Sequence, residues 1–184
     1  MPTQDRMANG ALALVAQRRR TRGENRQAKP VTYECRSGMV TTYPSFRFKY
    51  GYIQIVARIP YGFGLWPALW LAAANLKWPP EIDIMEHWAS SPRVDQFFHP
   101  VGHTQFFGRA HPGNMSFGWH SFSLLWSPSK LVWFIDGHEE LTVAQDIPDI
   151  PMYLIANVAD KQVLANQGCD GSMLIRSVKV WQQH

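Results

Sequence analysis

Thirteen prolines and thirteen glycines punctuate this chain, and beyond residue 30 the stretches between them are mostly too short for ordinary helices. Several of these stretches carry the period of two that marks a half-buried strand. Ile53, Ile55 and Ala57 are apolar, while Gln54 and Arg58 alternate with them. Phe122, Leu124 and Trp126 alternate with Ser121 and Ser123 in the same way. Leu131 to Ile135 is apolar on both faces, and Asp136-Gly137 then gives a strong hairpin signal ahead of Glu139 to Val143. Met152 to Val158 and Met173 to Trp181 are further strand candidates. Short strands about 8–12 residues apart, without helical periodicity, predict an all-β sandwich. No internal repeat, low-complexity tract or long linker divides the chain, so residues 1–184 are read as one domain. The region from Arg93 to Gly118 is the least regular and is expected to be loop-rich.

The remaining global features narrow the partners. Eight Trp, ten Phe and six Tyr are an unusual aromatic load for 184 residues. Such rings either fill a core or stack on the apolar faces of sugars, and composition does not choose between the two. The net charge of +4 owes much to Arg18, Arg19, Arg20, Arg22, Arg26 and Lys29. No helix-turn-helix or finger pattern accompanies that cluster, so a solvated loop is expected there and no nucleic-acid partner. Cys35 and Cys169 are compatible with one disulfide or with two buried thiols. No run approaches the roughly 18 apolar residues of a membrane span. The apolar stretch Ala11 to Ala16 precedes the arginines and is too short for a signal peptide.

Chemistry concentrates in Glu81-Ile82-Asp83-Ile84-Met85-Glu86. On a regular strand Glu81 and Asp83 share one face and the isoleucines take the other. Glu86 would fall on the wrong side unless one β-bulge, near Met85, restores the parity. All three acids then face one groove. Three like charges on one strand are costly, and one chemistry that needs them is retaining glycoside hydrolysis. That reaction uses two carboxyl groups roughly 5–5.5 Å apart, one attacking the anomeric carbon and one protonating the leaving oxygen. A third acid between them can push the two pKa values apart. A solvent-facing acidic edge or a metal site would fit the bare pattern too.

The surrounding residues add a resemblance. Lys49-Tyr50-Gly51-Tyr52-Ile53-Gln54, Gly64-Leu65-Trp66-Pro67-Ala68-Leu69-Trp70 and Trp78-Pro79-Pro80, followed by the acidic strand, resemble glycoside hydrolase family 16. The match is to its bulged branch, which includes laminarinase-like endo-β-1,3-glucanases. Ser37-Gly38-Met39-Val40-Thr41, Trp119-His120-Ser121-Phe122, Trp126-Ser127-Pro128, Phe134-Ile135-Asp136-Gly137, Tyr153-Leu154-Ile155-Ala156-Asn157 and Val178-Lys179-Val180-Trp181 follow the family's order. The resemblance runs from about Asn9 to Gln183. It implies a β-jelly-roll sandwich of two antiparallel sheets with a concave, open substrate cleft. It also implies endo-action on β-1,3- or mixed-linked β-glucan through a covalent glycosyl-enzyme intermediate. Glu81 resembles the nucleophile, Asp83 the assisting acid and Glu86 the general acid/base. Trp66, Trp70 and Trp78 match tryptophans in or near the sugar-binding cleft, His87 and Trp88 follow the acid/base, and His120 matches a family histidine.

The chain also departs from the family pattern. Members usually carry one more N-terminal strand ahead of the Gly10 region, which this chain is expected to lack. Gln54 stands where many have Glu, and Val56 where many have Arg. Arg176-Ser177 replaces an Asp-Tyr pair whose Asp is associated with structural calcium, so that Asp is not carried over and a structural calcium stays open. No metal is assigned: His99, His103 and His111 lie in the irregular region, where scattered histidines rarely ligate. The scheme requires no cofactor, the substrate class implies an extracellular or secreted protein, and a monomer without a membrane partner is expected. Other β-glycans, transglycosylation and non-catalytic glycan binding are the alternatives.

Overall fold

A computed structural model describes residues 4–25, 27–60, 64–88, 93–102, 107–111, 113–115, 117–160 and 169–183. Among the described residues fourteen strands follow one another: β1 (Asp5–Ala8), β2 (Ala11–Glu24), β3 (Pro30–Arg36), β4 (Met39–Thr41), β5 (Gly51–Arg58), β6 (Leu65–Ala73) and β7 (Glu81–Glu86) come first. Then come β8 (Val94–His99), β9 (Phe107–His111), β10 (His120–Trp126), β11 (Leu131–Ile135), β12 (His138–Val143), β13 (Met152–Asp160) and β14 (Gly171–Trp181). They form two antiparallel sheets, as expected. One has the order β1-β2-β14-β5-β10-β11-β12, with β3 on β2; the other, the groove sheet, has the order β4-β13-β6-β7-β8-β9.

The alternation that predicts the strands also builds the core. Leu65, Leu69 and Leu71 of β6 and Ile82 and Ile84 of β7 point inward against Ile53, Ile55, Phe122, Leu124 and Trp133 of the facing sheet, and all are essentially inaccessible. Each such aliphatic side chain contributes about 1.5–3 kcal/mol by leaving water. The opposite faces of β6 and β7 are thereby turned outward into the groove. Two-residue turns fix the registers of two hairpins. Asn9-Gly10 and Asp136-Gly137 hold positive φ at both residues, the geometry of a type I′ turn, and set Ala8 opposite Ala11 and Ile135 opposite His138.

Three expectations are corrected. A strand does precede Gly10, because Asp5–Ala8 pairs with Ala11–Leu14. The Arg93–Gly118 region supplies two strands of the groove sheet, with Glu81 opposite His99 and Val94 opposite His111. The arginine cluster belongs largely to a β-hairpin rather than a loop, since β2 pairs with β3 from Gln17 to Glu24; Arg26 lies outside the described residues. Of the two fates left open for the cysteines, the structure shows the disulfide Cys35–Cys169.

Candidate active site

The acidic strand carries the bulge that parity demands. Against β8, Asp83 pairs with Phe97 and Glu86 with Asp95, so three steps on β7 match two on its neighbour. Against β6 the same irregularity lies between Met85, opposite Leu69, and Asp83, opposite Trp70. Ile84 and Met85 are both fully buried, which shows that the extra residue is absorbed on the core side. A bulge disrupts the ladder locally. Here the indole of Trp133, on β11 of the opposite sheet, donates to the Asp83 carbonyl at 2.9 Å. Both partners are buried, so the bond anchors the bulge from beneath.

Burial and mutual repulsion set the electrostatics. The Glu86 carboxyl is pushed up to about 8, first by desolvation and then by the neighbouring Asp83 charge. Glu81 is pushed up to about 7 for the same two reasons, with His99 and a hydrogen bond from Trp78 opposing. Asp83 is raised chiefly by burial, and the His99 hydrogen bond pulls the other way. The Nε2 of His99 lies 3.3 Å from Asp83 Oδ2 and 3.8 Å from Glu81 Oε1. Its own pKa is raised first by that bond to Asp83.

The tryptophans occupy distinct places around these acids. Trp66 donates its indole N–H to Glu86 Oε1 at 3.0 Å and stacks on Trp88, with ring centroids 4.4 Å apart. Trp70 donates to Asn157 Oδ1 at 2.8 Å, an anchor that β13 supplies. Trp78 is 68% exposed. With Trp70, Tyr153 and Glu81 it lines a pocket of about 560 Å³ at the Glu81 end of the strand. The acids, Trp66, Trp70, Trp78 and Trp88 are therefore gathered in one region.

Two other sequence candidates are not part of that surface. His87 is fully buried; its Nδ1–H donates to the Arg93 carbonyl at 2.8 Å, and burial lowers its pKa. With a bulge already spent, His87 follows Glu86 into the interior. His120 begins β10 in the other sheet, where its ring nitrogens lie 2.7 Å from Asp136 Oδ2 and from the Phe117 carbonyl.

His99 is the neighbour of the acids that the sequence alone did not bring to them, because it falls in the region expected to be loop-rich. Its signal was parity: Asp95, Phe97 and His99 share the face opposite Val94 and Phe98. Glu81, Asp83 and His99 also offer ligand atoms within 4.8 Å of one another and are the group that could take a divalent cation among the described residues. His111 instead meets Glu140 at 3.1 Å, and His103 lies outside the described residues.

Comparison with known proteins agrees with this geometry. The model of glycosyl hydrolases family 16 matches residues 6–175. The endo-1,3-1,4-β-glycanase ExsH of Rhizobium meliloti is 34% identical over 157 residues, 82% of this chain and 33% of that protein. The endo-1,3-1,4-β-glycanase EglC of the same organism is 33% identical over 138 residues, 72% of this chain and 30% of that one. The chain thus spans about a third of the length of these curated relatives. Among solved structures, the laminarinase catalytic domain of Thermotoga maritima superposes with a TM-score of 0.83 at 27% identity, covering 100% of this chain and 82% of that one. The matched family, the jelly-roll sheets and the bulged acidic strand agree, and the chain belongs to glycosyl hydrolases family 16.

Proposed function

We propose that this chain is a retaining, endo-acting hydrolase of β-1,3- or mixed-linked β-glucan. The observation that carries the reading is the bulged strand, which turns Glu81, Asp83 and Glu86 to one face and separates the pKa values of the two glutamates. Near neutral pH Glu81 loses its proton before Glu86 does. Glu81 then attacks the anomeric carbon while Glu86 protonates the departing oxygen, giving a glycosyl-enzyme ester and a shortened glycan. Glu86, now ionised, takes a proton from water, and that water breaks the ester with net retention. Asp83 lies between them and keeps Glu86 protonated through its charge. His99 offsets the negative charge on Glu81 and Asp83.

Trp70 and Trp78 offer ring faces to a sugar in the pocket beside Glu81, and Trp88 stacks on the Trp66 that bonds Glu86. The nucleophile and the group that first donates and then accepts a proton are both side chains, so the scheme calls for no cofactor. Arg176, where the resemblance would put a calcium-binding Asp, lies 3.9 Å over the Trp119 ring, and we include calcium independence in the proposal. The substrate class and the disulfide support an extracellular setting. The protein is proposed to act as a monomer. Among the described residues no helix is long and apolar enough to cross a membrane.

The test is release of reducing ends from laminarin, lichenan, agarose, carrageenan and xyloglucan. Cleavage of laminarin or lichenan is expected, with Glu81→Gln and Glu86→Gln each lowering kcat at least about 10³-fold. Wild-type rates in either variant would refute the assignment. Tight laminarin binding without cleavage would favour a glycan-binding module.

A further inference from the structure

The positive charge of this chain is concentrated in one element. Residues 17–36 carry seven Arg or Lys against two Glu, a net +5, whereas the whole chain is +4. The rest of the molecule is therefore −1. β2 pairs with β1 and β14 only through residues 11–16, and from Gln17 to Glu24 its partner among the described residues is β3. A two-stranded ribbon thus runs past the sheet, with Arg18, Arg19, Arg20, Arg22 and Lys29 exposed. A register shift between Arg18 and Thr21 crowds Arg19 and Arg20 opposite Glu34. Among the described residues the ion pair on this ribbon is Arg20–Glu34 at 3.5 Å, and both side chains are exposed. A pair of that kind offsets little of the repulsion among the remaining cations.

The ribbon has a defined hollow and a defined position. A depression of about 390 Å³ is lined by Arg20, Thr21, Arg22 and Thr32, two guanidinium groups beside two hydroxyls. Guanidinium forks match carboxylate, sulfate and phosphate oxygens, and hydroxyls hydrogen-bond to sugars. The Cys35–Cys169 disulfide locks the base of the ribbon. From there β3 passes through Ser37-Gly38 into β4, the outer strand of the groove sheet.

We propose that this ribbon is an electrostatic docking site for acidic polysaccharide. It would hold the anionic substituents of a glycan whose backbone reaches the groove. The proposal rests on the hydrolase reading and adds to it a preference for charged over neutral β-glucan. Nucleic acid is the competing polyanion. Polysaccharide is favoured because the ribbon leads directly into a sheet built for glycans, and because the disulfide belongs to an oxidising compartment.

The experiment uses the full chain with two probes of one backbone, laminarin and carboxymethylated laminarin. Binding is measured on the Glu81→Gln variant so that neither probe is consumed. At about 20 mM salt the carboxymethylated glucan is expected to bind at least about fivefold more tightly than laminarin, and about 200 mM salt should abolish that advantage. Arg19→Gln/Arg20→Gln/Arg22→Gln should remove the advantage at low salt. In the otherwise wild-type chain the same triple substitution should leave laminarin hydrolysis within about twofold, which shows that the fold survives. An advantage that is absent, or that persists in the triple variant, overturns the proposal while leaving the hydrolase reading intact. Single-stranded DNA of equal charge binding as tightly as the carboxymethylated glucan would overturn the choice of polysaccharide. Absence of laminarin hydrolysis by the unsubstituted chain would refute the hydrolase reading instead, whereas its loss in the triple variant alone would overturn the proposal that the ribbon serves charged glycan only.

Discussion

Glu81 and Glu86 are the same side chain five residues apart, and their surroundings give them different tasks. Burial and then the Asp83 charge raise both; Glu86, raised further by Glu81 and opposed by Trp66 and His99, reaches about 8, whereas Glu81, opposed by His99 and Trp78, reaches about 7. The kcat/KM of laminarin cleavage should therefore be bell-shaped, with an acid limb near 7 and an alkaline limb near 8. The Trp66 indole N–H stabilises the ionised form of Glu86. Removing it in Trp66→Phe raises the Glu86 pKa further, so the alkaline limb should move to higher pH and the acid limb should stay. A pH–rate profile of the variant checks this. The three acids were legible in the sequence because parity and spacing are one-dimensional. His99 was not, because its role depends on the register of β8 against β7, which a single sequence does not display.

At the scale of elements, the bulged strand is held by a residue of the opposite sheet. Trp133→Phe keeps an aromatic ring in the core, though a smaller one, and leaves the Asp83 carbonyl buried without its donor. Such a loss costs about 1–3 kcal/mol, and a shifted carboxylate costs about tenfold or more in kcat. Calorimetry and laminarin kinetics on Trp133→Phe should show both losses.

The strand also carries a stability burden. Glu86 has a folded pKa raised from 4.5 to about 8, so its favourable contribution is complete below pH 4.5 and lost as pH rises through about 8. Glu86→Gln should raise Tm by about 3–6 °C above pH 8, with the gain fading as pH falls to 4.5.

The alternating strands β5, β10 and β11 were readable from their pattern. β8 was obscured by Gln96, a polar residue on the core-facing side of the strand, and by Phe97 on the groove side. Gln96 is fully buried, and its amide finds no hydrogen-bond partner among the described residues. Nothing in the structure explains it.

For the molecule as a whole, two sheets divide the labour. The sheet from β1 to β12 packs Trp126, Trp133 and Phe122 into the core, and the groove sheet turns its outer face, with the three acids, to the cleft. The sandwich was legible from Pro and Gly spacing, and the family from the tryptophan motifs around the acids. The disulfide and the projecting ribbon were not, because each depends on contacts between segments far apart in the chain: Cys35 with Cys169, and the point where β2 leaves β14. If Glu81 is the nucleophile of a double displacement, the bond released first must keep its β configuration. Proton NMR during the first minutes of laminarin cleavage, before mutarotation, reads that directly. The β-anomer of the new reducing end should form first and decay toward equilibrium; the α-anomer appearing first would contradict the mechanism.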